Sequence, residues 1–333
     1  MRKTFWNNTR WYVAICIALL LGVAIGTYWQ PKTNAGALPT YSADVDIFGY
    51  QYKFINPLLF CSDQELSKLT SATAQKIEKD VEDYIDKMKL EGKLLDAAMY
   101  FRDLKSGPWA LINEDLYSAP ASLLKVPLAL SIYKHAEVAP GFLSKTILFE
   151  ASEDFNVGQF FQSSDKALSG KAYSIEELVK FSLIDSDNNA TYALTQLLNQ
   201  GDLEESYTRL GITSPDGKTG SYSMKVRTYA SFFRILYNAS YLERTESEYI
   251  LSLLSQSKFT IGIVAGTPGG TTVAHKFGET RFPNGDTQLH DCGIIYKPGQ
   301  PYLLCIMTHG NDFKIQSQII ADISRIIWNI LKE

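Results

Sequence analysis

Two stretches decide the reading of this chain: residues 119–130, APASLLKVPLAL, and residues 173–191, YSIEELVKFSLIDSDNNAT. In the first, Pro120-Ala121 leads into an apolar helical run of Leu123, Leu124, Val126, Leu128, Ala129 and Leu130. Ser122 and Lys125 form a Ser-x-x-Lys at its start. A serine there commonly caps a helix, and Ser-x-x-Lys recurs at Ser131–Lys134, Ser163–Lys166 and Ser255–Lys258, so this motif alone decides nothing. In the second stretch, Ser174 and Glu177 make a capping box ahead of Leu178, Phe181, Leu183 and Ile184. That helix ends at Ser186-Asp187-Asn188, a tripeptide that occurs once. A third element, His275-Lys276-Phe277-Gly278, follows about 90 residues later.

Outward from these motifs, the chain from residue 122 to about 185 is predicted mostly helical, with further helix over 190–198 and within 222–257. Residues 63–90 carry Leu66, Leu69, Ile77, Val81, Tyr84, Ile85 and Met88 at near-helical spacing. Strands are expected at 97–104 and 109–116, turned at Ser106-Gly107-Pro108, and again at 273–279, 289–296 and 302–308. The last helix, 315–331, bears a stripe of Ile319, Ile320, Ile323, Ile326, Ile327 and Ile330, read as core. Strands at both ends and helices between predict an α/β (α+β) fold. One antiparallel sheet draws on both ends, terminal helices cover a face, and a helical insertion spans about 122–258.

With 333 residues, 45% of them hydrophobic, and a net charge of −4, the composition is globular and gives no reason for nucleic-acid binding. Four cysteines and four histidines, none in C-x-x-C or H-E-x-x-H, argue against a metal site. Residues 11–29 hold no charge and follow Arg2, Lys3 and Arg10, which predicts a transmembrane anchor with a cytoplasmic N-terminus at 1–10. The rival reading is a signal sequence cleaved near Ala35-Gly36-Ala37. Both place the rest of the chain outside the cytoplasm. Residues 30–62 read as a linker followed by an apolar clasp, YKFINPLLFC, whose role the sequence does not assign. Cys292 and Cys305 flank a hairpin and could lie near each other, but read better as small buried apolar residues.

Ser-x-x-Lys, Ser-Asp-Asn and a Lys-Thr/Ser-Gly-like triplet, in that order, resemble the serine β-lactamases and penicillin-binding proteins, and class A β-lactamases most closely. The resemblance covers about 65–333, so 63–333 is expected to be one catalytic domain with a β-lactamase/transpeptidase-like fold. It implies Ser122 as nucleophile, activated by Lys125, with Lys276 adding a second positive charge and Ser186 relaying a proton. It also implies Asn188 as the group that bonds the substrate amide and positions Lys125. The backbone N–H groups of Ser122 and Glu279 would stabilise the oxyanion, Gly278 would let substrate approach the strand, and Asp187 would hold its loop. His275 lies on the opposite strand face from Lys276 and reads as structural.

Serine, lysine and backbone N–H groups supply the whole mechanism, so no cofactor is implied. The expected activity is an extracytoplasmic serine hydrolase acting through an acyl-enzyme on a β-lactam or D-Ala-D-Ala-type peptidoglycan amide. The alternative is a degenerate binder of cell-wall peptide.

Two departures stand out. Phe277 replaces the hydroxyl residue that in this family helps bind the substrate carboxylate. The Glu-x-x-Leu-Asn loop that activates the deacylating water has no counterpart. Asp216 and Glu205 would be the first candidates for that task were turnover observed. Residues 211–219, GITSPDGKT, mimic a P-loop but have five residues between the glycines and follow no strand, and Lys218-Thr219-Gly220 is a decoy of the third motif.

Overall fold

The structure is a computed structural model that describes residues 52–57, 64–163, 165–198, 200–210 and 222–332. The predicted anchor and linker, the end of the clasp and the 211–219 segment lie outside the described residues. In chain order, α1 is Gln64–Leu90, β1 Asp96–Asp103, β2 Trp109–Ile112, β3 Tyr117–Ser118 and α2 Lys125–Val138. There follow β4 Thr146–Phe149, β5 Lys171–Ser174, α3 Ile175–Lys180, α4 Asn188–Thr195, α5 Gln200–Arg209 and β6 Met224–Lys225. The chain closes with α6 Val226–Tyr237, α7 Arg244–Leu254, β7 Val273–Arg281, β8 Thr287–Ile295, β9 Tyr302–Gly310 and α8 Phe313–Ile330.

The central sheet is antiparallel with strand order β2-β1-β9-β8-β7, so both ends of the sequence build it, as expected. Strand periodicity divides its residues between two cores. Met99, Phe101, Leu304 and Ile306 pack with Ile77, Val81 and Ile85 of α1 and with the isoleucine stripe of α8. Ala98, Tyr100, Ile294, Leu303 and Met307 face the other way, into a core shared with Leu123, Val126, Leu178, Tyr229 and Phe233 of the helical part. The seam between sheet and helices is therefore where a site can form, with β7 at the sheet edge beside it.

The structure corrects three expectations. The stretch from 139 to 174 is not helical: β4 and β5 pair as a hairpin, with a long irregular strap between them. Asp154, Asn156 and Gly158 explain this, because Asx side chains bond nearby backbone and Gly158 takes φ 95°. The strand expected over 109–116 stops at Ile112, because Asn113 turns the chain at φ 51° and β3 pairs separately with β6. Cys292 and Cys305 lie directly opposite each other on β8 and β9 and form a disulfide. The clasp also acquires a role: Glu248 of α7 accepts from the backbone N–H groups of Lys53, Phe54 and Ile55 at 2.8–2.9 Å. Tyr296 of the sheet side donates to the Phe54 carbonyl and meets its ring edge-on.

Candidate active site

Ser122 does not start an α-helix or cap one; it lies in a single 3₁₀ turn, Ala121–Leu124, that runs into α2. Ala121 enters this turn at φ 48°, a left-handed conformation costly for a residue with a Cβ. The surroundings hold it there. Ala119 N–H donates to Gln288 Oε1 at 2.8 Å, His290 Nε2 lies 3.0 Å from the Ala119 carbonyl, and Tyr229 Oη donates to the Leu123 carbonyl at 2.9 Å. Burial pushes the His290 imidazole down to about 3, so it is neutral and a fixed donor.

The turn rests against β7 at Gly278. A Cβ added there would meet the Pro120 carbonyl oxygen at 2.6 Å and the Leu123 nitrogen at 3.0 Å. The glycine is thus required by backbone-to-backbone contact, and it lets β7 lie directly against the turn that carries Ser122.

Ser186 and Asn188 arrive from the helical side. The capping box of Ser174 and Glu177 forms as predicted, and α3 runs into a π-type turn, Phe181–Asp185, of the kind that recurs at functional sites. Ser186 follows in the left-handed region at φ 57°, which reverses the chain and aims its hydroxyl at the seam. Asp187 then caps α4. Its carboxylate accepts from the N–H groups of Asn189, Ala190 and Ala167 and from Asn156 Nδ2, all within 3.1 Å. This is the loop-holding part expected of it.

Lys125 Nζ donates to the Ser186 carbonyl (2.5 Å), Ser186 Oγ (3.2 Å) and Asn188 Oδ1 (2.7 Å). Lys276 Nζ donates to Ser186 Oγ at 2.9 Å and to the Phe277 carbonyl at 2.9 Å. One hydroxyl therefore joins two buried ammonium groups, contributed by segments 61 and 90 residues distant in sequence. Burial holds Lys125 well below its ordinary value, and the neighbouring Lys276 lowers it further. Burial likewise lowers Lys276, to about 7, against opposing attraction from Asp291 and Glu279. Amines in that state can accept a proton from a serine hydroxyl, as an ordinary surface lysine cannot.

His275 lies with Asp291, 2.7 Å away, in the interior behind the strand, away from this cluster. Phe277 is buried too, stacked on Phe259 at 4.2 Å between ring centres, with Lys276 Nζ 4.3 Å from its own ring centre. It offers no donor to the cleft. Glu205 pairs with Arg209 on the exposed face of α5 and takes no part in the cluster.

One contact escaped the sequence. The strap crosses from the helical side to the sheet: Asn156 and Gln159 bond Asp187 and Ser186, and the backbone N–H groups of Phe160 and Phe161 donate to Glu279 Oε1 at 2.7 and 3.3 Å. Phe161 then packs edge-on against Phe259 and Phe277. The second Glu279 oxygen is buried with no hydrogen-bond partner. Burial pushes the pKa of this carboxyl up, opposed by the strap N–H groups and by Lys276 and Lys125. A Phe-Phe pair preceding a lone glutamate on an edge strand carried no signal that could have linked them.

A serine on a strained turn, two buried lysines sharing a second serine, and an edge strand abutting the turn through glycine come together on a fold of the β-lactamase/transpeptidase type. The sequence profile of the Beta-lactamase enzyme family matches residues 76–331, and the chain belongs to that family, in the serine β-lactamase and penicillin-binding protein superfamily. Similar solved structures include the TLA-3 extended-spectrum β-lactamase, 18% identical over 78% of this chain and 100% of that one, TM-score 0.68. PBP-A is 18% identical over 77% of this chain and 96% of its own, TM-score 0.63. A class A β-lactamase representative from Bacteroides cellulosilyticus is 18% identical over 78% and 98%, TM-score 0.64. A search of curated protein sequences finds no match.

Proposed function

We propose that this chain is an extracytoplasmic serine hydrolase, anchored through residues 11–29, that forms an acyl-enzyme at Ser122 with a β-lactam or a D-Ala-D-Ala-type amide. The observation that carries this reading is the buried Lys125–Ser186–Lys276 chain beside the serine turn. A binder has no need of two lysines stripped of water. Lys125, neutral, takes the Ser122 proton as Oγ attacks the carbonyl. The backbone N–H groups of Ser122 and Glu279 hold the oxyanion, Asn188 bonds the substrate amide, and Ser186 passes the proton to the leaving nitrogen under the charge of Lys276. Without a Glu-x-x-Leu-Asn water activator, deacylation is slow and the protein behaves more like a D,D-peptidase than a β-lactamase.

Intact-mass spectrometry with a labelled penicillin and with a fluorophosphonate tests this. The expected result is an adduct that forms slowly, persists for many minutes and vanishes in Ser122→Ala. No adduct with either reagent refutes it, and the degenerate binder of cell-wall peptide then takes its place. Rapid penicillin turnover would overturn the slow-deacylation part alone. Deleting residues 1–30 is expected to move the protein from the membrane to the soluble fraction.

A further inference from the structure

The strand that would receive the substrate differs in charge from what its lysine motif leads one to expect. Phe277, Glu279 and Arg281 share one side of β7 by strand alternation, successive members being about 7 Å apart. At the first position the ring is buried against Phe259 and has no donor to offer an anion. At the second stands a carboxylate with one oxygen bonded to the strap and the other buried without a partner. At the third, the Arg281 guanidinium lies over the Phe313 ring at 5.2 Å, at the exposed end of the strand. Of the two lysines nearby, Lys125 donates to Ser186 and Asn188, and two of the three N–H donors of Lys276 are taken by Ser186 and the Phe277 carbonyl.

A substrate carboxylate placed along this strand would come beside the Glu279 carboxylate and find no donor at Phe277. Both are unfavourable in a partly dry site. A neutral leaving group would meet no such repulsion.

We infer that Glu279 and Phe277 set the specificity of this site against a carboxylate on the leaving-group side. This rests on the acylating role proposed above but departs from the D-Ala-D-Ala-type substrate named there, whose leaving group ends in a carboxylate. The substrate is an amide internal to a longer peptide, or one with a neutral or cationic leaving group, and not a terminal dipeptide carboxylate.

Benzylpenicillin and its primary carboxamide differ only in this group, so their acylation rates at Ser122, followed by intact mass, test the inference. The wild type is expected to react faster with the carboxamide. Glu279→Gln keeps both an acceptor for the strap N–H groups and the side-chain shape while removing the charge. It is expected to raise the acid-to-amide rate ratio about tenfold, on the order of the effect of one like charge a few ångströms away near a protein surface. Phe277→Thr, which restores a hydroxyl, should raise the ratio further. A wild type that reacts with the acid as fast as with the amide overturns the inference, as does a ratio that shifts less than threefold in Glu279→Gln. Absence of any adduct, fluorophosphonate included, would instead show that the acylating role itself has failed and that the specificity falls with it.

Discussion

Gly278→Ala is the sharpest probe of how this site is assembled. The added methyl would sit 2.6 Å from the Pro120 carbonyl oxygen, 3.0 Å from the Leu123 nitrogen and 3.1 Å from Leu123 Cγ. Ordinary contact begins near 3.4 Å, so β7 and the Ser122 turn must separate by roughly 0.8 Å, the difference of the two distances. The turn cannot swing away freely, because Gln288, His290 and Tyr229 fasten it on its other sides. Overpacking against backbone of this kind costs about 1–3 kcal/mol, or a fall in Tm of about 2–10 °C for a domain of this size. The functional loss should be larger. The N–H groups of Ser122 and Glu279 lie on the two sides of the widened gap, and a misplacement near 1 Å costs on the order of 100-fold in rate. Thermal unfolding and acylation kinetics at Ser122 measure the two effects. Gly269→Ala is the control, since a Cβ there meets nothing within 4 Å. If Gly278→Ala unfolds at the wild-type temperature and acylates within threefold of wild type, close packing of strand and turn is not what builds the oxyanion site.

Three further outcomes follow from the buried charges and the cross-link. Lys276 is held at about 7 in the folded protein against 10.5 in the open chain; between those values the unfolded chain binds more protons. Stability should therefore rise with pH from about 7 upward, by at most about 1.4 kcal/mol per unit for this group. Urea midpoints from pH 6.5 to 9 should climb in the wild type relative to Lys276→Met, and parallel slopes would contradict the assignment. Asp187→Ala strands three backbone N–H groups and the Asn156 amide. It should destabilise the protein by about 3 kcal/mol or more by calorimetry, while a loss under 1 kcal/mol would show the loop to be held otherwise. The Cys292–Cys305 link spans 13 residues. Reducing it should gain 2 Da in mass and remove about 3 kcal/mol on the chain-entropy scale; alkylation of Cys292 and Cys305 in the unreduced protein, read by peptide mass, would refute the bond.

Elements whose stability comes from local pattern were readable in the residues. The isoleucine stripe of α8, the three late strands and the Ser174–Glu177 capping box all appear where periodicity and capping chemistry place them. The strap between β4 and β5 did not, because its course is set by side chains reaching distant partners, as Asn156 does at Asp187. The disulfide was misjudged for a related reason: 13 residues of separation are compatible with many registers, and only the β8–β9 pairing puts Cys292 opposite Cys305.

By itself the sequence determined the family and the order of the parts. Ser-x-x-Lys, Ser-Asp-Asn and Lys-Phe-Gly are short, local, and each kept by its own element. Tertiary structure alone decided how they act on one another. Segments 61 and 90 residues apart converge on one hydroxyl. Burial, which no residue possesses in isolation, strips two lysines of water and lowers their proton affinity. The same burial turns Phe277 into the core and draws the Glu279 carboxylate under the strap. Pattern in the chain selects elements through local geometry; charge, desolvation and close approach depend on what lies across the seam, and that is set only when the sheet and the helices meet.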